Sequence, residues 1–433
     1  MHTEIFIIGI LIFSAHLFTS LFKKTKIPDV LLLMIVGILA GPVFNFTSPD
    51  DFGKFGQVIT TIALIVILFD GGSHISIQAI KTSFKDTIKL SFITYFTSVA
   101  FIVIGIHYYS GTDWLTSSII GFTLGAISPA VVLPMIQALG FKEKSKTILM
   151  LETAITDVFT IIIVFNLFSA SVSGTVSGFD ILRNIILSFI VASGIGIAGG
   201  LLWSALLTKV RMFPNTIFTT FAFIFILFGF AEFFHLSGAI TSLAFGFTLS
   251  NLKVFRLERF NLLTNINFNE LMEREHSFFQ EIMFLLKIFF FVYLGISFPL
   301  DNYALLVYGL VITVGLFIIR FVVTRMTISP DLNLREAIII SIMIPKGLAS
   351  AVLASIAIQM NLQHAEFIQT IVYSVILWTI LISAILITLI EKTTLKESFG
   401  RMLGLGYQLQ KQELQSEEII NVMSDEKPPA SDE

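Results

Sequence analysis

Leu149-Met150-Leu151-Glu152-Thr153-Ala154-Ile155-Thr156-Asp157-Val158-Phe159-Thr160-Ile161-Ile162-Ile163-Val164 reads as an apolar helix that carries two acids. A carboxylate near the centre of a bilayer is costly. It is kept where it faces a polar cavity and has a task such as proton relay or ion binding. Two other apolar segments are interrupted, at Ser128-Pro129 and at Pro345-Lys346-Gly347.

Hydrophobic residues make up 55% of the 433 and charged ones only 13%, which excludes an ordinary soluble domain. The 45 Phe suit lipid-facing and helix-packing surfaces, and the lack of Cys rules out disulfides, thiolate metal sites and cysteine nucleophiles. No glycine-rich phosphate loop follows a strand, so neither a nucleotide-driven motor nor a dinucleotide-gating domain is expected. Energy for transport then has to come from an ion gradient. Neither an enzyme nor a nucleic-acid or nucleotide binder is expected, and no cofactor.

Apolar windows predict about thirteen transmembrane helices. They lie near 4–22, 27–45, 55–72, 86–108, 114–140, 144–168, 182–208, 214–233, 236–251, 278–298, 303–324, 335–359 and 366–391. Residues 4–22 lack a cleavage-like end and are read as a first spanning helix. The connections 23–26, 73–89, 141–147, 209–213, 252–277 and 325–335 are basic. In the opposite set only Lys54 and Arg183 are basic. Lys and Arg concentrate in cytoplasmic loops. The N-terminus is therefore expected outside and the tail inside, in an all-α polytopic protein of the cell membrane, surrounded by lipid. Residues 1–394 form the transmembrane domain. Residues 395–433 form a cytoplasmic tail, with a short helix within 395–423, a disordered acidic end and scope for a regulatory contact.

The breaks fall in the fifth and twelfth helices. That is the same position in two six-helix halves joined by a linking helix at 182–208. An odd separation of seven helices makes these repeats inverted, with both broken helices crossing at the midplane. Paired interruptions of this kind point to a midplane binding site. At 1.5 Å per residue, Asp157 lies about 15 Å from the cytoplasmic side, level with Ser128 and Lys346. Glu152 is about 7.5 Å shallower and rotated by about 140°, so it serves a different neighbourhood. Arg320 on the eleventh helix matches the depth of Glu152, and the two are expected to pair; the other reading is that Arg320 snorkels to the nearby interface.

Asp157 is the candidate site for a proton or a monovalent cation, one at a time. Thr156, Ser128 and the carbonyls freed around Pro129, Pro345 and Gly347 can supply neutral oxygens. Lys346 has two readings. It neutralises the carbonyl end of a half-helix, or it pairs with Asp157. Lys287, Glu281 and Glu232 read as packing or interfacial charges, His235 as a solvated turn residue and Asp70 as a helix-terminal residue.

These residues resemble the monovalent cation/proton antiporter family that includes the sodium/hydrogen exchangers. The resemblance runs from Ile27-Pro28-Asp29-Val30-Leu31 through Gly37-Ile38-Leu39-Ala40-Gly41-Pro42 and Leu68-Phe69-Asp70-Gly71-Gly72. It continues in Glu152-Thr153-Ala154-Ile155-Thr156-Asp157, Phe289-Phe290-Phe291-Val292-Tyr293-Leu294-Gly295-Ile296-Ser297 and Pro345-Lys346-Gly347. It covers roughly residues 5–391. It implies a Na⁺/H⁺ antiporter, with K⁺ or Li⁺ as other cations, in which Asp157 is the essential carboxylate and Glu152 a structural acid paired to arginine. It also implies a homodimer built on scaffold helices, about 4–72 and 214–298. A core of about 86–168 and 303–391 would move as an elevator. Thr156 stands where the family usually has Asn, and Ser128 where an Asp commonly precedes the proline. With no second acid beside Asp157, the electroneutral branch is the closer likeness, and one proton per cation is expected. A passive cation channel or uniporter and a sodium-coupled organic-anion symporter are the alternative readings.

Overall fold

In hydrocarbon every backbone N–H and C=O must find a partner within the protein, so long apolar runs become helices. The computed structural model describes residues 2–25, 28–73, 77–173, 178–212, 217–234, 236–252, 272–300, 302–328, 332–392, 399–400 and 402. Among them there is no strand. The helices are α1 (His2–Thr25), α2 (Asp29–Ile38, continued by a π turn at Leu39–Val43), α3 (Pro49–Ser73), α4 (Ile77–Ser110) and α5 (Trp114–Thr123). There follow α6 (Pro129–Leu139), α7 (Glu143–Ser173), α8 (Gly178–Val210), α9 (Ile217–Phe233) and α10 (Gly238–Ser250). The chain continues with α11 (Glu273–Ile296), α12 (Tyr303–Thr327), α13 (Leu334–Ile342), α14 (Leu348–Gln359) and α15 (Ala365–Lys392). Six of the helices described are long and apolar enough to cross a membrane.

The expected fifth and twelfth helices are each two half-helices, α5–α6 and α13–α14. Pro129 opens α6, where its missing N–H costs nothing. Pro345 lies in the non-helical stretch 343–347. Each break is thus a real gap of about five residues in the helical ladder, not a kink.

One group of helices packs through small residues. Gly37 of α2 and Gly295 of α11 face each other so closely that a Cβ on Gly37 would stand 2.1 Å from the carbonyl oxygen of Val292. Gly246 of α10 meets the backbone of Phe69 on α3 in the same way, with 2.0 Å to its carbonyl oxygen. Such approach gives van der Waals contact where no hydrophobic force acts between helices. Gly37 and Gly41 of the second-helix motif, Gly72 of the third and Gly295 of the tenth therefore hold helix contacts. α10 also packs on α8 and α9, and α11 on α3. In the other group α4 packs on α5, α7 and α12, while α15 packs on α12 and α14.

Of the expected tail, only Phe399, Gly400 and Met402 lie among the described residues. The ring of Phe399 sits 6.1 Å from that of Phe321 on α12. The expected short helix and disordered end lie outside the described residues, as do His235 and most of the 252–277 connection.

Candidate ion-binding site

α7 carries its polar residues into the protein. Glu152, Thr153, Thr156 and Asp157 are all at most 5% exposed. The two acids meet different surroundings, as their rotation along the helix requires. Arg320 of α12 grips Glu152 with both ends of its guanidinium, Nη1 to Oε1 and Nη2 to Oε2 at 2.8 Å, and both side chains are wholly buried. The same arginine donates from Nε to the Ile340 carbonyl at 2.9 Å, and from Nη1 to Thr94 Oγ1 at 3.3 Å. It therefore joins α7, α4 and α12 to the last turn of α13. The extra bond to Ile340 was not legible in the sequence.

The two breaks close each other. A helix end leaves carbonyls without intrahelical donors and carries partial negative charge. At the end of α5, Thr160 Oγ1 donates to the Phe122 carbonyl at 3.0 Å and Ser350 Oγ to that of Thr123 at 2.7 Å. Lys346 Nζ donates to the Gly125 carbonyl at 3.2 Å. At the end of α13, the Ser128 N–H donates to the Pro345 carbonyl at 2.8 Å and Ser383 Oγ to that of Ile342 at 3.2 Å. The C-terminal end of each outgoing half-helix thus meets the start of a half-helix from the other pair. Gly347 permits the crossing, because a Cβ there would stand 2.2 Å from Ser128 Oγ. Of the two readings of Lys346, the geometry matches neutralisation of a helix end. Lys346 makes no ion pair with Asp157, although the two lie within electrostatic reach.

Thr156 is largely committed. Its hydroxyl donates back to the Glu152 carbonyl at 2.9 Å and accepts the Ile127 N–H at 3.3 Å. A hydroxyl has one proton and two lone pairs, so one lone pair is left. Asp157 differs: its Oδ1 is buried without a hydrogen-bond partner, and so is Ser128 Oγ. Most buried polar atoms are partnered, so two unpartnered oxygens on elements that meet at the crossing call for an explanation. Among the described residues no three of His, Asp and Glu gather as a multidentate metal centre.

Several supporting residues escaped the sequence reading. Tyr95 OH lies 3.1 Å from Thr160 Oγ1 and is the donor, since the proton of Thr160 goes to Phe122. Thr379 Oγ1 accepts the Lys346 N–H at 3.0 Å. Thr160 lies three residues beyond Asp157, on a neighbouring face of one turn, and that spacing was the available signal. Lys287, read as a packing charge, bonds Asp29 Oδ2 at 2.6 Å and ties α11 to the start of α2. Glu232 accepts the Gly238 N–H at 2.8 Å and so orders the α9–α10 turn. Arg335 and Glu336 hold the ends of the broken helices remote from the crossing. Arg335 bonds Glu391 at 2.7 Å and the Leu139 carbonyl at 3.1 Å, while Glu336 accepts the Lys142 N–H at 2.8 Å.

Residues 10–397 match the family described as sodium/hydrogen exchanger, transmembrane. The chain belongs to that family. The probable Na⁺/H⁺ antiporter 2 of Methanocaldococcus jannaschii is 24% identical over 422 residues, covering 92% of this chain and 95% of that protein. Sodium/hydrogen exchanger 8 of Arabidopsis thaliana is 27% identical over 197 residues. That match spans 42% of this chain and only 26% of the much longer plant exchanger. The structure of the sodium proton antiporter MjNhaP1 from M. jannaschii at pH 8 superposes with a TM-score of 0.71 at 19% identity. The superposition covers 89% of this chain and 99% of that one. The exchanger fold is therefore present over most of the chain, and the protein is a multi-pass membrane protein of a transporter family.

Proposed function

We propose that the protein is a secondary-active Na⁺/H⁺ antiporter of the cell membrane, which also accepts Li⁺ or K⁺. The observation that carries this is the buried, unpartnered Asp157 carboxylate oxygen beside two broken helices that satisfy each other's ends. Asp157 holds a proton or a cation in turn. Desolvation favours the neutral acid and a bound cation favours the carboxylate, so the two compete for one group. Ser128 Oγ is the first neutral ligand. Thr156 contributes at most its remaining lone pair and otherwise holds the break open through Ile127. With Lys346 engaged on a helix end and no second acid present, one proton exchanges for one cation and no net charge moves.

Movement follows from the packing. α4–α7 and α12–α15 form a core tied by Arg320, Lys346 and Arg335. α1–α3 and α9–α11 form the scaffold on which a homodimer assembles. Sliding of this core past the scaffold moves the crossing from one face to the other, while the ligands keep their mutual geometry. Tyr108, Trp114 and Tyr303, exposed at the ends of α4, α5 and α12, suit an interfacial aromatic belt on the outer side. The basic residues of the loops on the other side support an outside N-terminus and a cytoplasmic tail.

Proton flux into proteoliposomes tests this reading, with Na⁺, Li⁺ and K⁺ gradients compared with and without an imposed potential. Cation-driven counterflow of protons that is insensitive to the potential is expected. Cation flux with no opposing proton flux would mean a channel or uniporter.

A further inference from the structure

Thr123, the last residue of α5, has a buried side chain that the mechanism above does not use. It is fully buried, and its Oγ1 has no hydrogen-bond partner. Thr248, Thr313 and Thr327 bond back one turn to the Ala244, Gly309 and Val323 carbonyls at 2.7–2.8 Å, whereas Thr87 and Thr324, like Thr123, keep an unpartnered Oγ1 but lie on α4 and α12, away from the helix breaks. That bond is the usual solution for a hydroxyl in an apolar helix. Thr123 forgoes it, and an unsatisfied buried hydroxyl costs free energy.

Its surroundings are those of the ion site. The Thr123 carbonyl accepts Ser350 Oγ on the first turn of α14, and Gly347, at the start of that same turn, lies against Ser128 Oγ. Residues 347 and 350 are about 5 Å apart along the helix axis. The preceding carbonyl, of Phe122, is held by Thr160, which stands one turn beyond Asp157. Thr123, Ser128 and Asp157 are thus three buried residues at one crossing, each with an oxygen that no protein donor or acceptor satisfies.

We infer that Thr123 Oγ1 is a further neutral ligand for the transported cation, sharing with Ser128 the place that a second carboxylate would fill. The inference rests on the transport reading above. A site of one carboxylate and two hydroxyls exerts a weaker field than a two-acid site, so each hydroxyl bears on cation affinity and choice.

Thr123→Val keeps the shape and removes the oxygen, while Thr123→Ser keeps the oxygen. The measurements are the KM for Na⁺ and Li⁺ in proteoliposomes, and the Na⁺ dependence of the melting temperature in detergent with choline as ionic control. A cation that binds the folded state raises the melting point in proportion to its occupancy. For T123V, the KM and the stabilisation midpoint for Na⁺ should rise about five- to tenfold, the cost of one lost polar ligand. T123S should stay within about twofold of wild type, since it retains the ligand. In choline alone T123V should melt no lower than wild type, because the orphan hydroxyl is gone. A T123V midpoint and KM equal to those of a responsive wild type would overturn the assignment of Thr123 alone. A wild type showing neither exchange nor Na⁺-dependent stabilisation would overturn the transport reading, and this assignment with it.

Discussion

At the scale of single residues, two buried acids five positions apart on one helix have opposite fates. Glu152 is saturated by Arg320, whereas Asp157 keeps an unpartnered oxygen. Asp157→Asn should abolish cation-driven proton flux and leave the melting temperature near wild type. Retained flux would remove Asp157 from the mechanism. Breaking the Glu152–Arg320 pair strands a buried charge and should cost about 3–5 kcal/mol for either single change. Arg320 also holds the Ile340 carbonyl and Thr94, so Arg320→Gln should be the more damaging. The double Glu152→Gln/Arg320→Gln variant should recover part of that loss, not all of it. Thermal melts of all four proteins measure the coupling. Asp157, Glu152 and the pairing with Arg320 were legible in the sequence, because charge in an apolar helix and matched depth are one-dimensional signals. The second duty of Arg320 was not, since its acceptor is a carbonyl and any residue supplies one.

At the scale of elements, the two broken helices stabilise each other's open ends. Gly347→Ala should drive a methyl into Ser128, destabilise by about 1–3 kcal/mol and stop transport. Adding Ser128→Gly should restore the melting temperature but not exchange, as it removes a proposed cation ligand. The half-helix α5 is capped by Asp113, which accepts the Thr116 N–H at 2.9 Å and also its hydroxyl. Partial burial pushes the Asp113 carboxyl up, but these hydrogen bonds outweigh it and hold the group below the ordinary carboxylate value. The cap therefore stabilises fully above the unfolded pKa, and its contribution fades as pH falls through the lowered folded value. Asp113→Ala should cost about 1 kcal/mol at neutral pH. That difference should shrink in melts at strongly acid pH. Both breaks were readable from Pro and Gly inside apolar runs. Their partners, Thr160, Ser350, Thr379 and Ser383, were not, because hydroxyls are common in membrane helices and only the packing shows which carbonyl each one meets.

At the scale of the whole molecule, the proposed exchange makes proton and cation rivals for one carboxylate at the crossing. The fold behind this was largely legible, since long apolar runs in lipid can only be helices. What the runs could not give was the contact between halves that are about 220 residues apart in sequence, such as Lys346 with Gly125. Competition at Asp157 is tested most directly by the KM for Na⁺ as a function of pH, from proton flux in proteoliposomes with the potential clamped. Where protons win the site, KM should rise about tenfold for each unit of falling pH, with the maximal rate reached again at high Na⁺. A KM independent of pH throughout the active range, or exchange persisting in Asp157→Asn, would contradict the account.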